Sequence, residues 1–165
     1  MSLIVSDSSP LNILVRLGQA EILSKLFSKV YVTPVVALEM SHPKTPPMVR
    51  QFMTSPPSWI EIRKPAALLN FTGIDAGEIE AISLAVEIRA TLMIDEFDGR
   101  AIAKAQGLEI IGAIGVLERA ADEKYIPDLN VVHAQIRSLN FHVSDAILND
   151  SLARHLTFKQ GQPKP

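Results

Sequence analysis

The sequence predicts an α/β domain with a mostly parallel central sheet. Its strand candidates are short, continuous apolar runs, the pattern of strands buried on both faces. Amphipathic helical segments separate them, as crossovers between parallel strands require. Cap-and-proline signals mark where two of the early helices begin.

The first strand is "SLIVS" (2–6), ending directly in Asp7. Ser9 before Pro10 predicts an N-cap with proline in the first turn, and Gly18 closes that helix. "AEILSKLF" (20–27) has helical spacing, "KVYV" (29–32) is a second strand, and Thr33–Pro34 opens the helix "PVVALEM". Residues 41–58 hold five of the eleven prolines. They read as a surface excursion with one short helix around Met48–Met53, open to substrate or partner contact. "WIEI" (59–62) reads as an edge strand. "DAGEIEAISLAVEIRA" (75–90) is the clearest helix, followed by the strand "TLMI" (91–94). "FDGRAIAKAQG" is a helix stopped by Gly107, and "LEII" (108–111) is a further strand. Helices are expected at 114–124, 128–139 and 144–156, with the tail 157–165 flexible. No repeat or linker divides the chain, so 1–156 reads as a single domain.

Composition narrows the function. At 165 residues with 47% hydrophobic and 21% charged side chains, the chain can bury a real core. No apolar run approaches the roughly 20 residues of a membrane span, and no signal-peptide pattern opens the chain, so a cytoplasmic protein with no membrane partner is expected. Cysteine is absent, which excludes disulfides, thiolate metal sites and a cysteine nucleophile. His42, His133, His142 and His155 lack metal-ligand spacing and are expected at the surface or its boundary. Net charge is −2, so any nucleic acid must be held locally, briefly or through metal ions rather than on a broad basic face.

The informative residues are carboxylates. Asp7 and Asp95 follow strands, so their side chains converge if those strands are neighbours; alone, each would read as a turn or cap residue. Glu39 shares a helix face with Val35 and Val36, unlike a solvated Glu, although its stem could simply lie across the core edge. Glu78 aligns with Ile82 and Ala85 on an inward stripe, while Asp75-x-x-Glu78 equally fits a capping box. Glu80 aligns with Ser83 and Glu87 and is expected to face water. Carboxylates gathered within about 5 Å repel pairwise by roughly 3 kcal/mol at an effective dielectric near 20. Such a cluster takes up protons or binds a hard cation such as Mg²⁺ or Mn²⁺.

In order along the chain, "VSDSSPLNIL", "PVVALEM", "GEIEAISLA" and "LMIDEFDGRAIAKAQGLEIIGAIGVL" resemble the successive blocks of the PIN-domain superfamily, from residue 3 to about residue 150. The nearest resemblance is to a prokaryotic PIN-like subfamily related to the ribonuclease toxins of toxin–antitoxin pairs. It implies a three-layer α/β/α domain and a Mg²⁺- or Mn²⁺-dependent endoribonuclease. Its catalytic and metal-binding acids fall on Asp7, Glu39, Glu78 and Asp95; Asp98, an extra acid nearby, reads either as a further ligand or as the cap of the helix containing Arg100 and Lys104. Glu78 stands where many active relatives carry Asp, which changes the reach by one methylene. Ser8 matches the Ser or Thr often found beside the first acid and is a candidate substrate contact, while Arg100 and Lys104, four apart on one helix, read either as a solvated face, the favoured account, or as receiving the RNA backbone. The implied partners are a single-stranded RNA, an antitoxin protein and a second copy of the chain; the apolar stripes of the helices at 20–27 and 34–40 read equally as a dimer face or as core.

Two alternatives differ in class. One keeps the PIN fold as a protein-binding module that is weakly active or inactive, and Mn²⁺-dependent activity would discriminate. The other is a receiver-like domain, which needs paired acids after the first strand and a Lys after a late one; "IVSDSS" and "LEIIGAIG" supply neither. "GAIG" is too short for a glycine-rich phosphate loop.

Overall fold

Residues 2–164 are described by the structure, a computed structural model; residues 1 and 165, which end the expected domain and tail, lie outside the described residues. The chain forms two compact units that meet in sequence at Ala113 and Ile114, a division that no stretch of linker composition announces.

The first unit runs β1 (Leu3–Ser6), α1 (Ser8–Arg16), α2 (Ile22–Leu26), β2 (Lys29–Val32), α3 (Pro34–Met40), α4 (Pro47–Thr54), β3 (Ile60–Ile62), α5 (Ala76–Ile88), β4 (Thr91–Met93), α6 (Phe97–Ala105) and β5 (Ile110–Ile111). Its five strands are all parallel in the order β3-β2-β1-β4-β5, with helices on both faces in a three-layer α/β/α arrangement. The continuous apolar runs follow from this: Ile4 and Val5 of β1 and Leu92 and Met93 of β4 have no solvent exposure. β3 lies at the edge, and its last residue Ile62 is exposed, as the edge reading of "WIEI" expects.

β1 pairs with β2 on one side and β4 on the other, with Ser6 opposite both Val32 and Met93. The connection after β1 leads to β2 and the one after β4 leads to β5, in opposite directions across the sheet. The crevice beyond the ends of β1 and β4 is therefore the topological switch point, where open parallel sheets place ligands. Asp7 follows β1 there, its backbone N–H donating to the Met93 carbonyl at 2.9 Å.

Two expectations about this unit are corrected. α1 starts at Ser8 with Asp7 in the cap position, so Ser9 is not the cap. Pro10 then falls at the third helical residue, where its missing N–H would have had no helical partner anyway. Glu80 does not face water: it is 4% exposed, and its Oε2 accepts the Val35 N–H at 2.8 Å. α5 is enclosed on both sides, with Ala81, Ile82, Leu84 and Ala85 in the apolar core. Its opposite side meets backbone donors, since Ser83 Oγ accepts from Leu69 N–H and Glu87 from Ala66 N–H. Periodicity cannot separate a polar stripe in water from one whose side chains accept backbone amides of neighbouring segments.

The second unit contains most of α7 (Ala113–Asp122), then α8 (Leu129–Ser138) and α9 (Asp145–Lys159). α9 runs three residues into the stretch expected to fray, from Thr157 to Lys159. Lys164 Nζ bonds Glu118 Oε1 at 2.7 Å and also Asp122, so the end of the chain is tied to α7. Arg154 donates to both carboxylate oxygens of Glu118, and His155 Nδ1 meets Asp122 Oδ1 at 2.7 Å. His133 and His155 are buried, against the surface expectation, because α8 and α9 carry them on their inward faces. His42 and His142 are exposed as expected.

Candidate functional site

An acidic cavity of about 470 Å³ opens beyond the end of β1, lined by Asp7, Ser9, Gly73, Ile74, Asp75, Glu78, Glu96 and Asp98. The acids come from the starts of three crossover helices. Asp7 precedes α1, Asp75 and Glu78 open α5, and Glu96 and Asp98 open α6. Helix N-termini carry partial positive charge, so this geometry offsets part of the repulsion that the cluster creates.

Asp7 is the centre of the cluster. It occupies the α1 cap position yet makes no side-chain capping bond, although it is only 3% exposed. Burial pushes its carboxyl up to about 7 from an ordinary 3.8, partly opposed by the Ser8 backbone N–H. The charges of Glu78, Asp75 and Glu39 raise it further. The turn-or-cap explanation therefore does not account for this residue.

Glu78 does two jobs. Its backbone N–H donates to Asp75 Oδ1 at 2.8 Å, and its Oε2 accepts the Asp75 N–H at 3.1 Å, a complete capping box. The same carboxylate lines the cavity. Burial holds it above the usual range, the Asp75 N–H pulls it back, and the charges of Asp75, Glu96 and Glu39 add to the rise. Both explanations of Glu78 are thus realised together.

Glu39 approaches from α3. Its carboxylate lies against the backbone of Gly77, where an added Cβ would stand 2.4 Å from Oε1. Gly77 thus lets α3 deliver a carboxylate to the first turn of α5. Burial raises the Glu39 carboxyl, and the Ser8 hydroxyl, by donating to it, lowers it. Ser8 is therefore engaged with an acid of the cluster. Glu80, one turn further along α5 from Gly77, holds the N-terminus of α3 through Val35. Gly77 and Glu80 together set where Glu39 sits, and sequence reasoning missed both. The signal was present in "GEIE", whose glycine sits in the first turn of a helix at a cost only close approach explains.

Asp95 stands apart. β1 and β4 are neighbours as the convergence argument requires, but its side chain turns to the β5–α7 junction. Oδ1 accepts the Ala113 N–H at 3.1 Å and lies 2.5 Å from where a Cβ on Gly112 would be. Burial raises its carboxyl, against the Ala113 N–H and the Arg100 guanidinium, which lower it. The structure thus brings together Asp7, Glu39 and Glu78 of the four expected acids, adds Asp75 and Glu96, and leaves Asp95 on a neighbouring backbone donor. Asp98 lines the cavity. Arg100 Nη1 donates to the Ile94 carbonyl at 2.9 Å, and Lys104 is exposed further along α6; neither lines the cavity.

Among the described residues, no three His, Asp or Glu side chains stand in direct ligand geometry for one metal ion. The donor set nonetheless fits a hard, hydrated cation: it is all oxygen, carries excess negative charge, and surrounds a space wide enough for retained waters. Asp7 and Glu78 of the cavity wall, with Glu39 beside them against Gly77, are the residues that would hold it.

Comparison with known proteins bears on the fold and the family. No match was found among curated proteins. The fold is similar to that of a PilT N-terminus domain protein from the hyperthermophilic archaeon Sulfolobus solfataricus P2, with a TM-score of 0.54 and 20% identity, over 72% of this chain and 92% of that one. A family described as PIN domain matches residues 3–156. With that match over nearly the whole length, and with acids gathered beyond the central strand of a five-stranded parallel sheet, the chain belongs to the PIN-domain family.

Proposed function

We propose that the protein is a Mg²⁺- or Mn²⁺-dependent endoribonuclease that hydrolyses phosphodiester bonds of single-stranded RNA in the cavity around Asp7. The observation that carries this reading is Asp7 itself, a buried carboxylate among other acids with no capping bond to explain it. PIN domains in general include nucleases and use divalent metals, which supports the assignment.

A bound ion would supply charge neutralisation and water activation. The chain's own residues supply the rest. Ser8 and Gly77 fix Glu39, the Asp75 N–H fixes Oε2 of Glu78, and Asp7 offers its carboxylate from a site that excludes bulk water. Without metal, burial raises the Asp7 carboxyl to about 7, and a bound dication would hold it ionised, so metal and proton compete for the same site. The cavity wall repels a phosphate until its charge is met, which couples substrate entry to metal occupancy. Lys104, exposed in the last turn of α6, would meet the RNA backbone only outside the cavity, with Arg100 engaged by Asp95 and the Ile94 carbonyl.

RNA cleavage with Mn²⁺ against chelator, by wild type and Asp7→Asn, tests the assignment. Activity should require metal and fall by at least about a hundredfold in the variant. Metal-independent cleavage, or an undiminished variant, would refute it. A second reading, an inactive PIN-fold binding module, draws on the engagement of Asp95 with Ala113 and the lack of a preformed ligand triad. It predicts no Mn²⁺ binding heat. A toxin role within a toxin–antitoxin pair and a homodimer extend the first reading. Growth arrest on expression that Asp7→Asn relieves, and sedimentation of the purified chain, test them.

A further inference from the structure

We propose that Phe97 is a stacking platform for an unpaired nucleobase of the strand whose phosphate enters the acidic cavity, which deepens the nuclease reading and rests on it. Among the described residues Phe97 is the most exposed large apolar side chain, at 83%. A single exposed apolar residue is ordinary on a protein surface, and its position is what distinguishes this one. Its two chain neighbours, Glu96 and Asp98, both line the cavity, so the Phe97 backbone runs along the cavity's rim and its exposed ring leaves from there. Its backbone is held firmly. Phe97 opens α6, the Arg100 N–H closes the first helical turn on the Glu96 carbonyl at 2.9 Å, and Gly99 lets that turn close onto Ile94, whose Cδ1 lies 2.5 Å from where a Cβ would be.

The charge around the cavity explains why a stacking contact is needed. Asp7, Asp75, Glu78, Glu96 and Asp98 line it and no Lys or Arg does. A polyanion bound there cannot draw on side-chain cations at the cavity wall, so its affinity must come from neutral contacts and a metal ion. Base–aromatic stacking is such a contact, tolerant of sequence because every base has a π-face. A base inside a duplex keeps its faces covered, so an exposed ring at the rim selects unpaired strands.

Fluorescence anisotropy of the full chain tests this, with a short labelled 2′-O-methyl oligoadenylate in Ca²⁺, the same backbone carrying abasic units, and a duplex. Wild type should prefer the base-bearing strand over the abasic one by about tenfold, in line with the cost of losing one stacked base. Phe97→Ala and Phe97→Leu should abolish that preference while matching wild type on the abasic strand and in melting temperature, and Phe97→Trp should keep it. A preference that survives Phe97→Ala would overturn the proposal. So would an equal loss on the abasic strand, which would assign Phe97 to the backbone or to a protein partner, or duplex bound as tightly as single strand. Failure of wild type to bind either strand would overturn it together with the nuclease reading. Mn²⁺-dependent cleavage with an unchanged KM in Phe97→Ala would overturn this inference alone.

Discussion

Replacing Asp7 with Asn should make the metal-free protein more stable at neutral and alkaline pH, the reverse of what loss of a helix cap would do. Burial raises the folded carboxyl to about 7 from 3.8, so between those values the folded state holds a proton that the unfolded chain has released. Stability contributed by this group is fully present below about pH 4 and is lost as pH rises through about 7. A rise of about three units corresponds to about 4 kcal/mol, since each unit is worth 1.36 kcal/mol. Asn keeps the shape and never ionises, so the two proteins should be equally stable at pH 4 and diverge toward pH 8, with Asn ahead by as much as about 4 kcal/mol. Glu39, Glu78 and Asp95 are also raised by burial, and they contribute a similar pH trend to both proteins. The difference between the two proteins therefore isolates Asp7. Urea unfolding in chelator from pH 4 to 8 measures it. Adding Mn²⁺ at about a hundred times its dissociation constant should restore about 2.7 kcal/mol to wild type and much less to Asn. A variant less stable than wild type at pH 8 in chelator would show that Asp7 serves the fold, and the argument from its burial would fail.

Glu80→Ala should destabilise the protein by about 1–3 kcal/mol in urea, because it removes the charged acceptor of the partly buried Val35 N–H, whereas Glu80→Gln, which keeps an oxygen, should cost less. Equal, negligible effects would return Glu80 to the solvent. Gly77→Ala should weaken Mn²⁺ binding by calorimetry, since its Cβ would arrive 2.4 Å from Glu39 Oε1; unchanged affinity would separate Glu39 from the metal. Lys164→Ala should lower the melting temperature more in low salt than in high salt, because its ammonium meets Glu118 and Asp122 together. A salt-independent change would point to lost packing on Phe158 instead.

Most of the sheet was legible because its strands are buried on both faces. β2 begins and ends where "KVYV" does, and every other strand lies within its expected run. The helix starts were legible where a side chain does the capping, as at Thr33 and Asp75, and misplaced at Asp7, where none does. That misplacement has a physical reason. A carboxylate in the cap position that declines the capping bond has the same sequence signature as one that makes it. Glu80 failed for a related reason: helical phase states which residues share a face, but not whether that face meets water or the amide end of another helix. Lys164 lay in a tail whose composition suggests fraying, and only the acids of α7, some forty residues earlier in sequence, hold it.

What each carboxylate does follows from how many of its lone pairs the backbone already claims. Asp75 and Glu78 exchange bonds with one another's amides, which holds the first turn of α5 and leaves part of Glu78 facing the cavity. Glu80 and Asp95 answer single backbone N–H groups on α3 and at the start of α7. Asp7 is more buried than any of these, and the nearest donor that lowers its carboxyl is only the adjoining Ser8 N–H. A folded chain keeps so poorly compensated a charge out of water only where something else compensates it. On the function proposed above, a hydrated dication at the switch point of the parallel sheet would be that species, and it would bring the chemistry of phosphodiester hydrolysis. The strain at Asp7 is thus the feature from which metal dependence, pH dependence and cleavage should all follow, and a variant at this one position should move all three.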